Sequence, residues 1–430
     1  MKKIKLSTNI TLNTVAIYIA LFCVATYALM EHVSTTISAF SVVKMPLMYL
    51  GGLCLLTQIK MLSRVLLRKN YFYMLLALTV MCMLLLTTVL FNRNTTIGDS
   101  PVMHTLRLIF YLYELFLVMI LLAETGRGRA ALNFLFWYVL VLVVANDVLM
   151  FTRIMTFRSG KFENYLVGTK FSVSYRHLNL LTLWAIRSNR GLIGWKKRAS
   201  KVFTVAATGY IVLVAVRVDC MTGILGGLAL MVLLGVMNSP RRNKLLRFTA
   251  SGVLLTAMVL SVMFAFIAEG IMEIPFVRYV VEEVLSRDTT ITGRTNIYDM
   301  YINNMEGRWL AGYGFGNGND AAVTLFGYEN VQNGLLQWVL QVGVPTTVAL
   351  VAVLLTVFRQ IKRRNPKNMD KILPLTAMIY VYIILGTIET TFDMAFLMWF
   401  AMIFMLVNEK QPIIRNGNPA PVTGMAVRRA

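Results

Sequence analysis

Charge is scarce in this sequence: 14% of its 430 residues are Asp, Glu, Lys or Arg, while 57% are hydrophobic. Soluble domains carry about 25% charged and about 45–50% apolar residues, so a soluble globular fold is excluded for most of the chain. Histidine occurs only at His32, His104 and His177, and cysteine only at Cys23, Cys54, Cys82 and Cys220. Neither set has metal-ligand spacing; the cysteines sit in or at the ends of apolar runs and read as small hydrophobes. No metal and no cofactor is expected. The glycine-rich run at 312–318 lacks the Lys-Ser/Thr of a phosphate-binding loop, which argues against nucleotide binding. No internal repeat recurs at a fixed period. Acidic residues are also few, 20 against 42 basic, giving a formal net charge of +22.

What the sequence has in abundance is apolar runs. They come in blocks of roughly 15–24 residues, enough to cross about 30 Å of hydrocarbon at 1.5 Å per residue. Helices are expected at about 12–30, 39–59, 71–90, 106–123, 131–150, 174–187, 202–217, 219–237, 248–269, 334–358, 372–387 and 394–408. The fold class is therefore an all-α polytopic integral membrane protein of about 12 transmembrane helices, with one membrane domain over 1–410. No small-x-small cleavage site follows the basic start and first apolar run, so that run is expected to be retained as a span. The tail at 411–430, with Pro412, Pro419 and Pro421, is expected to be disordered and cytoplasmic.

The basic residues give an independent check. With the N-terminus inside, the cytoplasmic segments hold 29 of the 42 basic residues and only Glu124, Asp370 and Glu409 among the 20 acidic ones. Every alternate loop then obeys the positive-inside rule, and both termini are expected to be cytoplasmic. The positive charge is dispersed over short loops beside spans, which fits orientation and anionic headgroups better than nucleic acid. The largest hydrophilic stretch, 270–332, falls outside, between the ninth and tenth spans. Chemistry is expected there, because the inner loops are all short. His32 and His104 fall in short outer turns, and Glu31-His32 is a poor substitute for an acidic metal-binding pair.

Within 270–332, Phe276, Val277, Val280, Val281, Val284 and Leu285 recur at helical spacing, as for a short amphipathic helix on the membrane or capping the bundle. A second helix is expected with Ile297, Tyr298, Tyr301, Ile302, Met305 and Trp309 as its apolar stripe. The glycine run after it reads as a tight turn allowing close backbone approach. Arg294 stands beside a helix start, where a planar, permanently charged guanidinium suits a phosphate ester. The competing reading is a solvated charge, or an ion pair with Asp288, Asp299 or Glu306.

The stretch Thr292-Gly293-Arg294-Thr295-Asn296-Ile297 resembles the Ser/Thr-Gly-Arg-x-x-Ile/Trp signature of Wzy-type polysaccharide polymerases and the related O-antigen ligases. Leu310-Ala311-Gly312-Tyr313-Gly314 is similar to the Leu-x-Gly-x-Gly turn of that family. Val331-Gln332-Asn333-Gly334-Leu335-Leu336-Gln337 resembles its His-Asn-x-x-Leu-Gln helix start, with Gln332 in place of the histidine. Upstream, Gly168-Thr169-Lys170 through Tyr175-Arg176-His177-Leu178 is similar to a stretch of capsule polymerases, and Glu389 matches an acidic residue near the last outer turn. The family's Ser-Arg-x-Gly helix start is only loosely echoed at Asp219–Gly223, where Arg217 is the available cation.

The resemblance implies a GT-C-like fold and polymerisation of undecaprenyl-diphosphate-linked oligosaccharide repeats on the outer face of a bacterial cytoplasmic membrane. An acceptor hydroxyl attacks the donor's anomeric carbon and lipid diphosphate departs, without nucleotide sugar or metal. A flippase and a chain-length regulator of the same pathway are the implied partners. Arg294 is implied as the cation at the departing diphosphate, with Arg278, Arg287, Arg176 and Arg217 as further candidates. The base is left open among His177, Asp288, Glu329 and Glu389, and His177 serves equally well as a structural hydrogen-bonding residue. Gln332 and Asn333 are candidates for sugar hydroxyls, though Asn333 also suits a helix cap. Trp309, Tyr313, Phe315 and Trp338 offer stacking faces, or interface anchors. A ligase of the same family is an alternative. A polysaccharide exporter is another, but only Glu114 and Asp147 fall deep within spans.

Overall fold

A computed structural model describes residues 12–31, 33, 37–94, 97–153, 157–159, 162–188, 195–237, 246–279, 282–283, 294–364 and 368–410. The first half runs α1 (Leu12–Leu29), α2 (Ser38–Leu56), α3 (Ile59–Val65), α4 (Lys69–Phe91), α5 (Pro101–Glu124) and α6 (Gly128–Thr152). A short antiparallel hairpin follows, β1 (Phe157–Ser159) with β2 (Phe162–Asn164). Then come α7 (Lys170–Ser188), α8 (Trp195–Arg217), α9 (Met221–Met237), α10 (Ser251–Met272) and α11 (Pro275–Tyr279). The chain ends in α12 (Arg294–Asn304), α13 (Gly318–Phe326), α14 (Gly334–Arg364), α15 (Met369–Leu385) and α16 (Met394–Asn408).

Each of the 12 segments expected to be helical coincides with one of these helices. Among the described residues, six helices are long and apolar enough to cross a membrane: α1, α4, α5, α6, the 198–217 part of α8, and α14. The apolar pair α2–α3 is bent by 69° and adds a seventh if it is one broken span. Shorter apolar stretches lie in α9, α10 and α16. The chain is thus a helical, multi-pass membrane protein.

Burial explains the short final helix. Every residue of α16 is buried, and α16 packs on α1, α5, α14 and α15 at the axis of the bundle. A helix that is apolar all round has no face to give to water. Around it, α4 and α8 turn side chains such as Leu90 and Val202 outward, where lipid is the solvent. One end of the bundle is tied by charge. Glu124 at the end of α5 pairs with Arg68 at 2.6 Å and Lys410 at 2.5 Å and accepts from the Tyr71 hydroxyl. Glu409 accepts from the Gly128 amide and the Asn368 side chain. Two of the three acidic residues expected on the cytoplasmic side therefore neutralise the basic loops around them.

At the other end, α14 is broken. Gly343 has φ 74° and ψ 172°, and Pro345 follows. Proline has no N–H, so the Gln341 carbonyl loses its intrahelical donor. The glycine run fills the gap. Tyr313 N–H donates to Leu340 O and Gly314 N–H to Gln341 O, both at 2.8 Å, while Val344 N–H donates to Trp309 O at 2.8 Å. The approach is close enough that a Cβ on Gly312, itself at φ 60°, would lie 2.5 Å from the Gln341 carbonyl carbon. Gly312→Ala should therefore destabilise by about 1–3 kcal/mol, read as a lower thermal unfolding midpoint in detergent; an unchanged midpoint would show that the splice is dispensable.

The segment between α11 and α14 has its own small core. Ile297, Tyr298, Tyr301 and Met305 of the α12 region are buried against Ala321, Ala322 and Phe326 of α13 and Leu336 and Leu340 of α14. The Tyr301 hydroxyl donates to Leu336 O at 2.8 Å. Ile302, expected in that stripe, is exposed, because the core takes the neighbouring face. Of the amphipathic helix expected over 276–285, α-helix is described at Pro275–Tyr279 and π-helical backbone at 282–283, with Phe276 exposed. The tail 411–430 lies outside the described residues.

Candidate functional site

A cavity of about 460 Å³ opens at the end of the bundle opposite the Glu124 and Glu409 clusters. Six segments meet around it. The end of α1 gives Tyr27 and Glu31, the first turns of α2 give Lys44, and the first turns of α5 give His104 and Arg107. The glycine run gives Phe315, the start of α14 gives Gln337, Trp338 and Gln341, and the turn before α16 gives Phe392 and Asp393.

The wall is held rigidly. The Trp338 indole N–H donates to Phe392 O at 2.8 Å, and the ring lies 5.8 Å from Phe315. Gln337 Oε1 accepts from the Val331 amide at 3.0 Å, and Gln341 Oε1 from the Gly316 amide at 3.2 Å. A Cβ on Gly316 would lie 2.5 Å from the His104 ring, so only glycine lets the loop close on His104. The Tyr27 ring stacks on Tyr111 at 4.8 Å, and the Lys44 ammonium sits 4.4 Å from the centroid of the Tyr27 ring.

Asp393 is the best-defined carboxylate of the cavity. Its Oδ1 caps α16 by accepting from Phe396 N–H at 2.8 Å, which fixes the carboxyl at a helix N-terminus. Burial pushes the group up to about 7, opposed by the Arg176 guanidinium and reinforced by Glu31. Arg176 itself is 1% exposed. Its Nε donates to Leu29 O at 2.8 Å, at the carbonyl end of α1, and its Nη1 has no hydrogen-bond partner. The site thus offers a carboxyl poised near neutrality, cations, and an aromatic face. A sugar ring needs the last, a proton transfer the first, and a phosphate ester the second.

The residues singled out from sequence fare unevenly. Arg176 lies behind Asp393 rather than in the cavity wall. Phe315 and Trp338 do line the cavity. Asn333 is buried and caps α14, its Oδ1 accepting from Leu335 N–H and Leu336 N–H at 3.1 Å. Gln332 takes a left-handed backbone, φ 56°, beside that cap. Glu389 is 4% exposed, in the same turn as Asp393 but not in the cavity lining. Arg217 and Arg278 are exposed and away from it. Arg294 opens α12; its side chain lies outside the described residues, as do Arg287 and Asp288 entirely.

His177 is also away from the cavity. Its Nδ1 meets Val173 O at 2.8 Å and its Nε2 meets Asp147 Oδ2 at 3.0 Å, while the Tyr210 hydroxyl donates to the same oxygen at 2.7 Å. Both ring nitrogens are engaged, an arrangement suited to holding α6, α7 and α8 together. The glycine-run amides of Gly312, Tyr313, Gly314, Gly316 and Asn317 are likewise all taken by protein oxygens. They have none left for a phosphate. Glu31, Lys44, His104, Arg107 and Asp393 are the acidic and basic residues of the cavity wall that sequence reasoning did not place in a site.

In comparisons with known proteins, no family model, no curated protein and no solved structure matches this chain.

Proposed function

We propose that the chain is a glycosyltransferase that joins undecaprenyl-diphosphate-linked oligosaccharide repeats into a surface polysaccharide. The reading takes all 12 helices as spans, with both termini cytoplasmic and the cavity on the outer face of a bacterial cytoplasmic membrane. The observation that carries it is the cavity: Asp393 and Glu31 share one space with Lys44, Arg107 and an aromatic wall of Trp338 and Phe315. Its position opposite the charge-tied basic loops supports the outer face.

In this mechanism Asp393 takes the proton of an acceptor hydroxyl. The freed oxygen pair forms the new bond to the donor's anomeric carbon, and the bond from that carbon to the diphosphate oxygen breaks with its electrons. Positive charge grows on the sugar, as in glycoside hydrolysis, and negative charge on the leaving diphosphate. Cations fixed toward that diphosphate favour the transition state over the ground state. By resemblance, Arg294 supplies one of them from the outer loop.

The decisive experiment places the purified protein in liposomes with one defined undecaprenyl-diphosphate-linked repeat. A ladder of products is expected. Movement of the repeat across the bilayer without new glycosidic bonds would replace the reading with a transporter, and a single addition to a different acceptor would replace it with a ligase. In the same assay Arg294→Ala should lose long products at normal membrane level, with partial recovery in Arg294→Lys, whose ammonium cannot bind an oxyanion in two places. Full chain length in the Ala variant removes Arg294 from the mechanism.

A further inference from the structure

Two cations of the cavity wall make no ion pair among the described residues. Among the described residues, Arg107 makes no hydrogen bond or ion pair, and its Nε is buried without an acceptor. Lys44 likewise makes neither, and its ammonium rests against the Tyr27 ring. Both residues are half-buried, so each holds its charge partly out of water, where an anion is the favourable neighbour. Among the described residues, the nearby carboxylates make no ion pair with either cation. One oxygen of Asp393 caps α16 and the group is opposed by Arg176, while Glu31 acts on Lys44 through space against the repulsion of Arg107.

The surroundings say what kind of anion is missing. Residues next to the two cations point into lipid: Val43 on α2 is 49% exposed and Leu106 on α5 is 47% exposed. Each cation therefore sits toward the cavity end of a helix, beside an apolar face that is exposed. His104 lies three residues before Arg107 on the same face of α5, so it adds a donor to the same spot. Arginine binds phosphoryl oxygens through two parallel bonds and lysine through one compact charge.

We infer that Lys44 and Arg107 form a seat for a diphosphate ester carried on a lipid, held between α2 and α5 at the edge of the cavity. The identification of that ester with the glycosyl donor rests on the transfer reading above; the seat does not. An anion there faces both cations and holds the leaving group beside Asp393, while five amides of the glycine run are already taken by protein oxygens.

The test uses the full chain in nanodiscs, with undecaprenyl diphosphate, undecaprenol and inorganic diphosphate as probes. Undecaprenyl diphosphate should bind and raise the unfolding temperature, and undecaprenol should do neither. The Lys44→Met, Arg107→Met double variant should bind undecaprenyl diphosphate about 10–100-fold more weakly, the range expected for losing charged hydrogen bonds. Without ligand it should unfold at a higher temperature than the parent, because two half-buried cations that repel each other are gone. A merely structural role predicts the reverse. Competition by inorganic diphosphate at similar concentration supports the seat and assigns the anion alone as its ligand; competition only at far higher concentration supports it and assigns the lipid. Equal binding by parent and double variant, or equal binding of undecaprenol, overturns the seat. A seat that binds while no ladder forms from the lipid-linked repeat sinks the transfer reading alone, whereas a full ladder from the double variant sinks the seat alone.

Discussion

Asp393→Asn should reduce polymer formation by about 10²–10⁴-fold, the usual contribution of a general base, with no loss of folded protein. The asparagine oxygen can still cap α16 by accepting from Phe396 N–H, so the helix start survives the change. The pH dependence gives the sharper test. A base works only when ionised, and burial raises the Asp393 carboxyl to about 7. The rate should therefore fall on the acid side of a midpoint near 7 and level off above it. The Arg176 guanidinium is the cation that opposes this rise. Arg176→Gln should move the midpoint to higher pH, so that activity lost at neutrality returns under alkaline conditions, and Arg176→Lys should leave the midpoint closer to the parent's. An acid limb that stays in place in Arg176→Gln would separate Arg176 from the base. An acid limb that survives Asp393→Asn would assign the base elsewhere, with Glu31 and His104 next in the cavity wall.

A second large effect is expected on stability rather than chemistry. Asp147→Ala should cost about 3–5 kcal/mol, because it leaves a buried partner unpaired. The reasoning follows the hydrogens. The Val173 carbonyl can only accept, so His177 Nδ1 carries a hydrogen, and a second proton must lie between Nε2 and the Asp147 carboxylate. Removing the carboxylate strands the imidazole, which is 3% exposed, and also takes the acceptor of the Tyr210 hydroxyl. Asp147→Asn should cost less, since an amide can replace one of these bonds. The measurement is folded yield and thermal unfolding in detergent, with turnover expressed per folded molecule. Turnover per folded molecule in His177→Gln should match the parent; its loss in a fully folded variant would restore His177 as a catalytic candidate.

The helices were legible because lipid imposes a simple rule. A backbone crossing hydrocarbon must satisfy its own hydrogen bonds, so long apolar runs have few alternatives to helix. That is why α1, α4, α5, α6 and α14 can be read from composition alone. The nine-residue α13 was not legible, since its apolar face, Ala321, Ala322 and Phe326, is small and makes sense only against α12 and α14. The cavity was illegible for a different reason. Glu31, Lys44, Arg107 and Asp393 come from four separate segments, and each alone reads as a charge near a span end. One signal was available. Lys44 and Arg107 belong to the minority of basic residues that the orientation rule does not use, and both interrupt otherwise apolar stretches. His177 misled because a histidine near the end of a span looks the same in sequence whether it bonds to substrate or to a buried aspartate.

The backbone splice at Gly343 and Pro345 has a mechanical consequence. Two main-chain bonds sew Tyr313 and Gly314 to the first half of α14, the half that carries Gln337 and Trp338, and a third ties Trp309 to Val344 just past the break. The glycine run and that aromatic wall must then shift as one plate, hinged on a seam that also grips the far side of Gly343. A ligand that presses on Phe315 is felt at Trp338 and, through Trp309, at the start of the half of α14 that packs against α4 and α16.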